Sequence, residues 1–100
     1  MTALLLLLTL SRVEPQGWDI TFPVHPENIA VVVITECKGR TPYFAYDRVD
    51  IAPTDGYVRM RRQPVPDGRC TVMAAVIRNT TDDPADETYG DSAIVVVEEP

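Results

Sequence analysis

Apolar residues in this chain fall in short alternating or continuous runs rich in Val, Ile and Tyr, broken by nine prolines, and helical spacing is hard to find. The pattern predicts seven β-strands, at residues 3–10, 18–24, 29–36, 43–51, 57–63, 69–77 and 93–98. Turn chemistry separates them, with Asp55-Gly56 and Asp67-Gly68 the strongest hairpin or turn signals. Because side chains alternate along a strand, Trp18, Ile20, Phe22 and Val24 share a face, and Trp18 is expected to anchor the core. The sixth strand is apolar on both faces, with Cys70, Val72, Ala74 and Val76 on one and Thr71, Met73, Ala75 and Ile77 on the other. The third strand has the same character at residues 29–34. Strands of this kind belong in the middle of sheets, covered on both sides.

The first run, ALLLLLTL from Ala3 to Leu10, has the length of a signal-peptide core. No Lys or Arg precedes it and no small-x-small cleavage pattern follows. It is also far shorter than the roughly 20 apolar residues that span a bilayer. We read it as a first strand, with Leu4, Leu6 and Leu8 on one face and Leu5 and Leu7 on the other. One face can join the core; the other needs a cover, from a loop of the same chain or from another subunit. Leu5 and Leu7 are therefore candidate interaction residues.

Trp18 early on the second strand, the stretch PDGRCTVMAAV from Pro66 to Val76, and the closing strand SAIVVV from Ser92 to Val97 together resemble fibronectin type III and related immunoglobulin-like modules. The likeness runs roughly from Trp18 to Val97. It implies an all-β fold, a single seven-stranded antiparallel β-sandwich, used for adhesion, spacing or assembly. Cys70 stands where that family usually places a tyrosine, so no tyrosine-corner hydrogen bond is expected.

Length and composition fit this picture. A chain of 100 residues forms one domain, residues 1–100, and 45% hydrophobic with 24% charged residues is ordinary for a folded protein. The net charge of −6 argues against a general nucleic-acid binder. All nine basic residues lie within residues 1–78, against eight acidic ones, whereas the remainder carries seven carboxylates and no cation. The segment 79–92 reads as an acidic loop. The charge division is that of two solvated faces or, more sharply, of a bipolar module whose acidic end meets a basic one on a neighbour.

Few residues suggest chemistry. Cys37 and Cys70 could bridge in an oxidising compartment, but without a convincing signal peptide reduced, buried thiols are favoured. Two cysteines and one histidine do not make a tetrahedral zinc site, and His25, between Val24 and Pro26, reads as a surface-loop residue. The carboxylates of the acidic loop suit calcium in type, yet their spacing fits no EF-hand, and no cofactor or metal is expected. On the fifth strand Arg59 and Arg61 share a face with Tyr57 and form a basic ladder, either protecting an edge or offering a contact surface.

These features lead to an expected non-enzymatic structural or interaction module. It docks into a larger protein assembly, plausibly a virion, through contacts with copies of itself or other subunits, with no nucleic acid and no membrane span. Tyr57, Arg59 and Arg61 join Leu5 and Leu7 as candidate contact residues. A virion or cytoplasmic setting is favoured over secretion. The alternative is a secreted or cell-surface binding module, an adhesin or inhibitor, with a Cys37–Cys70 disulfide.

Overall fold

The computed structural model describes residues 8–13, 17–38, 42–61 and 68–99, of which 12, 13, 68 and 97–99 are described by backbone alone. Among the described residues every regular element is a strand: β1 (Thr9–Val13), β2 (Gly17–Thr21), β3 (Asn28–Lys38), β4 (Tyr43–Asp50), β5 (Tyr57–Arg61), β6 (Gly68–Asn79) and β7 (Glu87–Glu99). They form two antiparallel sheets, one ordered β1-β2-β5 and the other β4-β3-β6-β7. The arrangement is compatible with a β-sandwich, because one apolar cluster draws on both sheets. Leu8, Trp18, Ile20, Phe22 and Met60 come from the smaller sheet and its flanks, and Val31, Val33, Val72, Ala74 and Val76 from the larger. Trp18 is the expected anchor, 3% exposed. The strands with two apolar faces, β3 and β6, occupy the centre of the larger sheet, as their composition requires.

Several boundaries and one turn differ from expectation; β2, for one, ends at Thr21 and not at residue 24, so Val24, expected on the core face, is 60% exposed. The described part of the first strand runs from Thr9 to Val13, three residues past the expected end, pairing Thr9 with Thr21 and Val13 with Gly17; Leu5 and Leu7 lie outside the described residues. The last strand begins at Glu87, not at residue 93, so the acidic loop is shorter than the expected 79–92 segment. Its polar beginning escapes a hydrophobic-pattern reading because it is held by charge: Glu87 pairs with Arg48 and Asp91 with Arg78. Asp55-Gly56 is a turn, but not a hairpin within one sheet, since β4 and β5 belong to different sheets. The Asp55 carboxylate accepts from Ala52 N–H at 2.9 Å, and Phe22 N–H donates to Gly56 C=O at 3.0 Å. A Cβ on Gly56 would stand 3.2 Å from the Phe22 carbonyl oxygen, so glycine lets the crossover lie against β2.

The expectation of free thiols is overturned. Cys37 and Cys70 face each other in the β3–β6 register, with Cα atoms 4.1 Å apart, and are joined as a disulfide. The compartment argument that favoured thiols carried no information about pairing, whereas the antiparallel register places the two side chains opposite one another. The bridge ties neighbouring strands of one sheet, not the two sheets to each other.

At one end of the fold Asn28 is fully buried. Its side-chain amide donates to Pro23 C=O at 3.2 Å, and its oxygen accepts from Arg78 Nε at 3.1 Å. Arg78 reaches on to Asp91 at 2.8 Å. One buried amide thus connects the β2–β3 crossover, β6 and β7, using both its oxygen and its nitrogen.

Candidate interaction surfaces

The outer face of the β1-β2-β5 sheet carries the expected basic ladder, but in altered form. The register sets Tyr57 opposite Thr21, Arg59 opposite Asp19 and Arg61 opposite Gly17. Arg59 Nε donates to Asp19 Oδ1 at 2.8 Å and its terminal nitrogen to Oδ2 at 3.2 Å, while Tyr57 O–H donates to Asp19 Oδ1 at 2.7 Å. Both partners hold the Asp19 carboxyl below its usual pKa, the Arg59 hydrogen bond foremost, and the same carboxylate pushes the Tyr57 phenol up. Two of the candidate residues therefore meet on a third, Asp19. Alternation places Asp19 opposite Trp18's face, yet strand pairing is needed to bring it to Arg59. Arg61 stands exposed at the end of the ladder. The result is a compact, largely neutralised polar cluster.

The outer face of the larger sheet differs in character. Cross-strand register builds rows on it: Tyr46–Ile34–Met73–Ile94, and beside it Phe44–Glu36–Thr71–Val96. Phe44 is 66% exposed, Ile94 63%, Val96 50% and Tyr46 49%. A shallow hollow of about 370 Å³ continues this band past Phe44, lined also by Pro42, Tyr43 and Lys38.

Toward the other end of the same face the central strands are covered, although Tyr89, opposite Ile77 on β7, is 61% exposed. Ala30, Val32, Ala75 and Ile77 form a second buried cluster. Over this end Arg48, on edge strand β4, grips Glu87, on edge strand β7, through two hydrogen bonds of 3.0 Å. The guanidinium lowers the Glu87 pKa, and the carboxylate raises that of Arg48. The outer face is thus half closed by a charged clasp and half open.

None of the residues of the open half was singled out from sequence. The available signal was arithmetic: β3, β6 and β7 each carry apolar residues on both faces, while the smaller sheet covers only one.

The acidic loop turns its side chains on itself. Asn79 Oδ1 accepts from Thr81 N–H, Thr81 Oγ1 from Asp83 N–H and Asp83 Oδ1 from Ala85 N–H, each within 3.1 Å. Among the described residues no group of three His, Cys, Asp or Glu side chains is placed to hold a metal ion. His25 lies half-buried in the β2–β3 crossover, its Nδ1 accepting from Glu27 N–H. Among the described residues no helix is long and apolar enough to cross a membrane. Comparison with known proteins found no protein family, curated protein or solved structure that matches the chain.

Proposed function

We propose that this protein is a non-enzymatic interaction module that takes its place in a larger protein assembly, a virion being the concrete setting, and docks through the open half of the β4-β3-β6-β7 face. One observation carries the reading: Phe44, Tyr46, Ile94 and Val96 are 49% to 66% exposed on one side of one sheet. Exposed aromatic and aliphatic side chains grouped on one face mark contact sites, here with Glu36 and Thr71 set between Phe44 and Val96. The scaffold is read as immunoglobulin-like or fibronectin type III-like. Strands one, two and five in one sheet and three, six and seven in the other follow the immunoglobulin division of strands. Strand four departs from the constant-type pattern by pairing with strand three, and the disulfide joins strands of one sheet instead of bridging two.

The disulfide favours a second reading, a secreted or cell-surface binding module working in an oxidising setting. Mass spectrometry of the protein from its native source separates the two. A mature chain that keeps residues 1–10 supports the assembly module; one that starts beyond them supports the secreted module and removes the assembly reading.

A further inference from the structure

Deepening the assembly reading above, on which it rests, we infer that the free edge of β4 pairs with β4 of a second copy of this chain, antiparallel about a two-fold axis, to make one continuous sheet. The edges of the two sheets are not equal. Among the described residues β1, β5, β4 and β7 are the edge strands. β1 lies against β7, so each partly covers the other's edge. β7 also carries a register irregularity opposite residues 75–77, and a bulge turns an edge away from straight pairing. β5 has five residues, whereas β4 has eight, in unbroken register with β3 from Tyr43 opposite Cys37 to Asp50 opposite Ala30. β4 contains no Pro, Gly or Lys. A long, regular edge without such interruptions is a template for another strand.

One hydrogen bond assigns the backbone groups on that edge. Ile51 N–H donates to Ile29 C=O at 3.0 Å, at the end of the β3–β4 pair. Antiparallel bonding alternates residue by residue, so the odd-numbered residues of β4 bond to β3, while Phe44, Tyr46 and Arg48 turn their N–H and C=O outward. Among the described residues no strand lies beyond them. A second strand bonds to this edge only in registers that set outward-facing residues opposite one another.

Side chains choose among those registers. Tyr46 opposite Tyr46 of the second copy sets Phe44 opposite Arg48 and Tyr43 opposite Val49, with about six backbone hydrogen bonds across the axis. The apolar side chains that β4 leaves exposed, Phe44 at 66%, Tyr46 at 49% and Val49 at 37%, then each gain a neighbour: an arginine stem, a tyrosine ring and a second tyrosine. Asp47 shares the core-side face with Val33 and meets Ala45. Shifting the register one way sets Asp47 opposite its own copy and Phe44 opposite Asp50, with like charges face to face. Shifting it the other way leaves Val49 beyond the paired stretch. Asp47, an inward-pointing charge of the kind that discourages indiscriminate edge pairing, thus selects one register. The two-fold also brings the open bands of both copies side by side, because Phe44 and Tyr46 border the axis. The paired stretch 43–49 is short by the standard of stable interfaces, so the dimer forms at micromolar concentrations and dissociates on dilution.

The full chain tests this directly. Light scattering should give a mass that rises with concentration to twice the 11.1 kDa monomer. Amide exchange by NMR, dilute against concentrated, should slow at least about tenfold at Phe44, Tyr46 and Arg48 and stay unchanged at Ala45 and Asp47, which already bond to β3. Docking through side chains alone protects none of the three outward amides. Tyr46→Lys and Tyr46→Glu, at a position 49% exposed, each set like charges against one another at the axis. With circular dichroism confirming their fold, each should dimerise at least about tenfold more weakly than wild type, and their equimolar mixture should recover dimers. A dimer whose outward amides stay unprotected overturns the proposal and leaves self-assembly standing through another surface. A mixture that stays monomeric while wild type dimerises overturns the two-fold at Tyr46. A wild type that is monomeric up to ~1 mM overturns the pairing altogether, whereas the assembly reading falls only on its own test, the loss of residues 1–10 from the mature chain.

Discussion

Arg48 and Glu87, on opposite edge strands of the four-stranded sheet, close one half of its outer face with a two-pronged ion pair of 3.0 Å per contact. The central strands carry Ala30 and Ala75 on that half, small enough for a long side chain to lie across them, and both are fully buried. An arginine stem contributes cover as well as charge. Replacing Arg48 by Ala should therefore lower the melting temperature more than replacing it by Met, which keeps the stem and loses only the pair. Equal effects of the two variants would assign the whole contribution to charge.

The same pair sets an acid limit. Glu87 has a folded pKa below the usual 4.5 because the Arg48 guanidinium favours the carboxylate. Its contribution is fully present above the unfolded value and is lost as pH falls through the lowered folded value, that is, from about pH 5 downward. Asp19 acts in the same direction through Arg59 and Tyr57. Chemical denaturation at pH 7 and pH 3 should show a smaller loss of stability on acidification in Glu87→Gln than in wild type. An unchanged pH dependence would show that the pair does not titrate with folding.

The Cys37–Cys70 bridge closes a sequence separation of 33 residues. The chain-entropy relation for a loop of that size gives about 3–4 kcal/mol of stabilisation. Urea unfolding with and without reductant should separate by that amount, and the double variant Cys37→Ala with Cys70→Ala should match the reduced protein. Thiol alkylation of unreduced, denatured protein should yield no labelled cysteine; full labelling would mean that the bridge does not form.

Asn28 is the one buried amide that joins Pro23, Arg78 and, through Arg78, Asp91. Asn28→Ala leaves the Pro23 carbonyl and one Arg78 donor without that partner, a loss expected to cost about 1–3 kcal/mol. Asn28→Asp is the informative companion. It keeps the acceptor for Arg78 but loses the donor to Pro23, so it should fall between wild type and alanine in thermal melts.

Much of this fold was legible in the chain. Alternation named Trp18, Ile20 and Phe22 as core but wrongly grouped Val24 with them, and the two-sided apolar character of residues 29–34 and 70–77 placed β3 and β6 at the centre of a sheet. Pairing was not legible, because a face can be read from one strand while a partner requires two. The Cys37–Cys70 bridge, the seat of Arg59 on Asp19 and the Arg48–Glu87 clasp all depend on register between strands far apart in sequence. The polar start of β7 was hidden for a related reason: Glu87 and Asp91 are held by arginines on other strands, and no hydrophobic period marks them. The outermost candidates, Tyr57, Arg59 and Arg61, do share an exposed face, yet half of their charge logic was invisible without Asp19.

The divided outer face makes opposite predictions at two positions in the same sheet. Ala75 is fully buried at the clasped end, whereas Ile94 is 63% exposed at the open end. Added volume at Ala75 has nowhere to go without displacing neighbours, so Ala75→Leu should destabilise by about 1–3 kcal/mol, as overpacked cores do. Ile94→Ser removes apolar surface already in water and should change stability by no more than about 0.5 kcal/mol. It should also weaken binding of a fluorescent hydrophobic dye, since it interrupts the exposed row between Met73 and the β7 edge. Urea melts of both variants, with dye titration of the second, check the division. If Ile94→Ser cost as much as Ala75→Leu, the open half would already be covered within a single chain, and a partner would have no seat there.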